Sequence, residues 1–210
     1  MPGMNYTPGN PGSMQAASIF AAFLGTTYQP NAMDVQHEPL YDTLTLVAGS
    51  NVLSANQSQA FFANPSGKTI NQTNVQKPKQ LDAPEAFALM CIQFHVDENI
   101  LLADFLALQD NFVLEFWIGQ KSYNRGPLWY YEAGGGITGF FTTGATSIIG
   151  NGVASNAAKN PREINIVIDN QASFYGILDG AQITLATTGN GGTGLKAVML
   201  LDGFHARGVQ

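Results

Sequence analysis

The chain has 210 residues, 9 of them Lys or Arg and 15 Asp or Glu, giving a net charge of -6, and it carries one cysteine, Cys91. That length suits one large all-β domain, or an ordinary domain with an added arm. The acidic balance excludes a strongly basic nucleic-acid surface, the lone cysteine excludes an internal disulfide framework, and no run reaches the ~18 apolar residues of a membrane span.

Residues 1–13, MPGMNYTPGNPGS, are rich in Pro, Gly and Asn and read as extended chain. Ser13 then stands as an N-cap for a short apolar helix over Met14–Leu24, closed by Gly25. An isolated apolar helix has to dock on something. Its lack of Lys or Arg argues for a protein surface over a membrane surface, and the absence of any basic residue before Lys68 argues against a signal peptide. Residues 1–38 therefore read as an N-terminal arm whose Ile19, Phe20, Phe23 and Leu24 are the candidate assembly contacts, and residues 39–210 as a β-sandwich.

From Leu40 the period becomes two. Leu40, Asp42, Leu44 and Leu46 alternate as a strand, and NVLSANQSQAFFA offers another. Asn64 to Gln80 is a long polar connection, and its Lys68, Lys77 and Lys79 read as a solvated loop. EAFALMCIQFHVD is a strong strand, with Ile92, Phe94 and Val96 on one face and Gln93, His95 and Asp97 on the other. NILLADFLAL has helical spacing. FVLEFWI is a strand with Phe112, Leu114, Phe116 and Ile118 on one face and Val113, Glu115 and Trp117 on the other, Gly119-Gln120 reverses the chain, and Pro127 places part of the return strand at an edge or bulge. EINIVID and SFYGILD alternate, Asp179-Gly180 signals a hairpin into AQITLAT, and LKAVMLLDGFHARG closes the chain. About eight short strands, one or two short helices and no βα alternation specify an all-β, antiparallel jelly roll or β-sandwich.

The G-x-G-x-x-G spacing of Gly134, Gly136 and Gly139 calls for a helix immediately afterwards if it is to bind a dinucleotide. The following ITGFFTTGATSIIG is β-branched and glycine-broken, so the glycines make room for close packing and no cofactor is expected. His95 and Asp97, with His37 or His205, are a weak metal set without zinc-type spacing, and no metal is expected. Cys91, in an apolar run, reads as a buried inert thiol. Glu115 and Glu132 are the one carboxylate pair with glycosidase character, set near Trp117 and Trp129. Trp117, Trp129, Tyr130 and Tyr131 form a possible sugar platform, though core and interface packing use the same residue types.

Charged residues are 11% of the chain, against about 25% in ordinary domains, so Asn, Gln, Ser and Thr build the polar surface. Such a surface meets other subunits at modest desolvation cost. With LYDTLTLVAG opening the sandwich, FVLEFWIGQKSYNRGPLWYYEAGGGITGF at its middle and LLDGFHARGVQ at its end, the chain resembles the jelly-roll capsid proteins of tailless bacteriophages over roughly residues 40–210. The resemblance implies an eight-stranded jelly roll in a virion. It implies assembly with itself and other virion proteins, an arm that contacts neighbours or an internal membrane, and no catalytic residues. FVLEFWIG also resembles strands of concanavalin-like sandwiches, which keeps a carbohydrate-binding module or glycosidase as the alternative.

Overall fold

The computed structural model describes residues 33–47, 58–97, 100–131, 138–143, 146–150, 166–186 and 194–208. The helix expected over Met14–Leu24, with Ile19, Phe20, Phe23 and Leu24, lies outside them, as do Glu132, Gly134 and Gly136. The elements in chain order are β1 (Met33–His37), β2 (Leu40–Leu46), β3 (Gln59–Phe61), β4 (Ala86–Val96), α1 (Leu102–Asn111), β5 (Phe112–Ile118) and β6 (Lys121–Pro127). A 3-10 turn (Leu128–Tyr130) follows, then β7 (Thr138–Thr143), β8 (Thr146–Gly150), β9 (Ile166–Asp169), β10 (Phe174–Gly180) and β11 (Leu195–Gly208).

Two antiparallel sheets form a sandwich. In the first, β11 lies between β4 and the pair β1 and β2, and β9 borders β4; the second runs β3–β10–β5–β6. β1 and β2 are one strand in all but name. Met33 pairs with Gly208 and Leu46 with Leu195 in a single register, interrupted at Glu38–Pro39 because proline has no N–H to give the ladder. Counting them as one and leaving out β7 and β8, which pair only with each other, the first sheet holds strands 1-8-3-6 in chain order and the second 2-7-4-5, which is the interleaved Greek-key order of a jelly roll. β7 and β8 pair with each other as a separate hairpin. Strand, not helix, thus follows the glycine-rich stretch.

The alternation read in the sequence sets the core. Leu40, Leu46, Ile92, Val96, Leu195, Met199 and Leu201 of the first sheet meet Phe61, Phe112, Leu114, Phe116, Phe174 and Leu178 of the second in one buried cluster. Gly176 sits where the sheets come closest: a Cβ there would lie 2.1 Å from Met199 Sδ. Gly119 takes φ 59°, which the β5–β6 reversal requires and glycine adopts without strain. One extra residue in β4 opposite Asp202–Gly203 makes a bulge, leaving Met90 exposed.

The structure departs from the sequence reading at several points. Met33–His37, within the segment read as arm, forms β1 on the sandwich. AQITLAT does not pair with β10 as a hairpin strand, because β3 and β5 already occupy both edges of β10. That segment instead crosses between the sheets, with Ala181 N–H donating to Asn111 O and Ala186 N–H to the buried Asp104 carboxylate.

The lysines expected in a solvated loop are all engaged. Lys68 Nζ lies 2.7 and 2.9 Å from the oxygens of fully buried Asp42, Lys77 pairs with Asp82 at 2.6 Å, and Lys79 Nζ lies 4.5 Å from the Tyr175 ring centre. These contacts pin the long polar connection. At its start Phe62 takes φ 62°, an uncommon conformation for a bulky residue, with its N–H donating to Asp42 at 2.7 Å. Lys79 N–H, in turn, donates to Phe62 O at 2.8 Å.

Candidate functional site

The registers place the last residues of β2, β4, β6 and β10, and the first residues of β3, β5 and β11, at one end of the sandwich. α1 caps this end. Its Phe105 and Leu108 are buried, while Leu102 and Leu106 point outward. The 3-10 turn packs against α1 and is built the same way, with Leu128 buried and Trp129 and Tyr130 exposed. Val47, at the exit of β2, is exposed too. Of the eight large apolar side chains exposed among the described residues, five therefore lie at this end, and Trp129 is the second most open of all at 60%.

The four residues of the expected sugar platform lie in three places. Trp129 and Tyr130 belong to the apolar end. Tyr131 is core, 1% exposed, with its hydroxyl donating to Leu114 O at 2.9 Å and also contacting Asn124 Oδ1. Trp117 lies on the outer face of the second sheet near the far end of β5, about 15 Å along the strand from Phe112. Its ring is parallel to Tyr175 on β10, centres 6.3 Å apart. Trp117 Nε1 donates to Glu115 at 2.8 Å, and Arg125 Nε lies 2.9 Å from the same carboxylate. Glu115, the one described member of the expected glycosidase pair, is thus held by a cation and an indole N–H.

The histidines do not converge. His95 and Asp97 line a cavity of about 300 Å³ with Lys196, Thr43 and Gln72. His95 is opposite Val198 on β11 while His37 is opposite Phe204, six residues or roughly 20 Å along the strand. No group of three or more His, Cys, Asp or Glu suited to a metal occurs among the described residues. Cys91 is a buried thiol with Sγ 3.8 Å from Asp202 Oδ2, and His37 Nε2 lies 3.0 Å from Asp202 Oδ1. The Asp202 carboxylate thus contacts both the thiol and the imidazole.

Sequence reasoning missed a polar cluster at the opposite end. Past the bulge the inward residues of β11 change from Leu195, Ala197, Met199 and Leu201 to Gly203, His205 and Arg207. His205 is 4% exposed. Arg207 Nε–H donates to its Nδ1 at 3.3 Å, so the proton of the neutral ring is on Nε2. Nε2 lies 3.3 Å from Glu85 Oε2 without the direction of a hydrogen bond and faces a cavity of about 270 Å³. Arg207 also binds Glu38, whose carboxylate is 3.6 Å from His205 Nδ1. Burial lowers the His205 pKa below its ordinary value, and Arg207 adds to this against the opposing pull of Glu85 and Glu38. Comparison of the chain with protein-family models, curated proteins and solved structures returns no match.

Proposed function

We propose that the chain is a structural subunit of a virion shell, without catalytic activity, which assembles with copies of itself and with other virion proteins through the apolar end of its sandwich. The observation that carries this reading is the gathering of Val47, Leu102, Leu106, Trp129 and Tyr130 at that end, on three segments far apart in sequence. Exposed apolar side chains scattered singly mean nothing; gathered on one end they mark an interaction surface. The strand order and the sparse charge agree with it. Several of the charges form pairs within the subunit, Asp42 with Lys68, Glu115 with Arg125 and Glu38 with Arg207.

The magnitudes point to many weak contacts rather than one tight one. Each of the five side chains is already about half buried, so covering the remainder is worth about 1 kcal/mol apiece. The total of about 5 kcal/mol only reaches the lower range of the 4–15 kcal/mol that association costs. A closed ring or shell, in which every copy engages several neighbours, adds many such contacts together. The apolar Ile19, Phe20, Phe23 and Leu24 of the arm add to the total.

The carbohydrate-binding alternative calls for its aromatic side chains on one surface, and Trp117, Trp129, Tyr130 and Tyr131 do not share one. Sedimentation velocity at micromolar concentration tests the proposal. The wild-type chain is expected to sediment as oligomers or particles, and Leu106→Ser combined with Trp129→Ser as a monomer with unchanged far-ultraviolet dichroism. A monomeric wild type, or a double variant that assembles as well as the wild type, overturns it.

A further inference from the structure

We infer that His205 is an acid-operated latch on β1, holding this edge strand to the sandwich at neutral pH and releasing it on mild acidification. The inference stands apart from assembly and rests on the cluster at the lower end of the first sheet.

β1 is poorly secured for an edge strand. It is five residues long and its one ladder is with β11. Of its side chains, Val35 packs against the small cluster of Ala86, Ala88 and Ala206, and His37 binds Asp202 on the outer face. On the inner face Gln36 lies opposite His205 and Asp34 opposite Arg207, while Glu38, the next residue along, takes the Arg207 guanidinium. His205 is thus the centre on which β1, β11 and the approach to β4 converge.

The charged groups facing it are Glu38 from the β1–β2 junction, Arg207 from β11 and Glu85 from the segment before β4. Asp82 lines the same cavity but is held by Lys77. In the neutral state Nδ1 accepts from Arg207. A second proton must go onto that same Nδ1, against an N–H already pointing at it. The imidazolium then faces a guanidinium with no hydrogen bond between them, and Nδ1–H has only Glu38 to turn to, at 3.6 Å and already bound by Arg207. The buried cation also lacks water.

The sign follows from linkage. Burial and Arg207 hold the folded-state pKa of His205 below its value in the opened strand. The latch is therefore fully effective above the opened-state value and weakens as pH falls from there toward the folded-state value. Across that window the opening equilibrium of β1 rises about tenfold per pH unit. Opening is local because β2, in the same register but on the apolar half of β11, has no titrating group of this kind in its core contacts.

The test is hydrogen–deuterium exchange of the full chain at about pH 7.5 and about pH 5.5, the span over which histidine changes charge, each corrected for intrinsic exchange. The 33–38 segment of the wild type is expected to lose protection by up to about tenfold on acidification while 40–46 keeps its own. His205→Gln, which offers Arg207 an acceptor but does not titrate, is expected to abolish the pH dependence. An equal loss in His205→Gln, a loss shared by 40–46, or no loss in the wild type overturns the latch. Should His205→Gln not fold, the imidazole resonance of His205 in the wild type decides: its titration midpoint has to fall within the opening window of β1, and a midpoint outside it refutes the inference.

Discussion

Replacing Lys68 by methionine tests what holds the long connection after β3. Asp42 is fully buried on the core face of β2 and accepts from three donor contacts: Phe62 N–H at 2.7 Å and Lys68 Nζ at 2.7 and 2.9 Å. Methionine keeps most of the volume of the lysine stem but leaves the carboxylate with one neutral donor. Removing one partner of a buried ion pair costs about 3–5 kcal/mol, and the 19% exposure of the Lys68 side chain places this pair near the lower figure. The same carboxylate holds Phe62 at its positive φ, a conformation that itself costs about 1–3 kcal/mol. With a urea m-value of about 2 kcal/mol/M, a loss of about 3 kcal/mol lowers the unfolding midpoint by roughly 1.5 M. Adding Asp42→Asn removes the stranded charge while keeping an acceptor for Phe62, and is expected to bring stability back to within about 1 kcal/mol of wild type. A Lys68→Met midpoint indistinguishable from wild type, or a double variant no better than the single one, refutes this account.

Two further substitutions probe the interior. Gly176→Ala drives a methyl group into Met199 Sδ and is expected to cost about 1–3 kcal/mol; in a Met199→Ala background the same change is expected to cost nothing, and urea melts of the four proteins read the coupling. Tyr131→Phe removes the hydroxyl that donates to Leu114 O, for a loss of about 1–2 kcal/mol and a fall in Tm of roughly 2–8 °C by calorimetry. An unchanged Tm would mean that this hydroxyl contributes nothing to the core.

The sandwich was legible because its strands alternate cleanly. Phe112, Leu114 and Phe116 point inward as their spacing requires, and Gly119 turns the chain where a tight reversal was read. β1 was not legible: MDVQH has one aliphatic residue flanked by polar ones, and it is a strand only because β11 offers it an edge. The hairpin read at Asp179-Gly180 failed for the converse reason, since turn chemistry cannot create an edge that β3 and β5 already fill. Asp42 did leave a signal, an acid on the apolar face of an alternating strand, which implies a buried partner. The His205 cluster left none. Glu38 and Arg207 are 169 residues apart, and only the closure of the first sheet brings them together. The exposed end was half legible: the aromatic content of LWYY stood out, but which ring turns inward depends on the 3-10 turn that follows Pro127.

The position of β11 governs when the fold can form during synthesis. It is the middle of the first sheet, and without it β2 and β4 have no hydrogen-bonded route to each other. A nascent polypeptide released as far as residue 194 lacks Leu195, Ala197, Met199 and Leu201, so the core that Leu40, Leu46, Ile92 and Val96 share with them stays open between β2 and β4. Contacts spanning so much of the chain form slowly. Completion of the first sheet therefore waits on the fourteen-residue β11, and a translation product truncated before it is destined for aggregation or proteolysis.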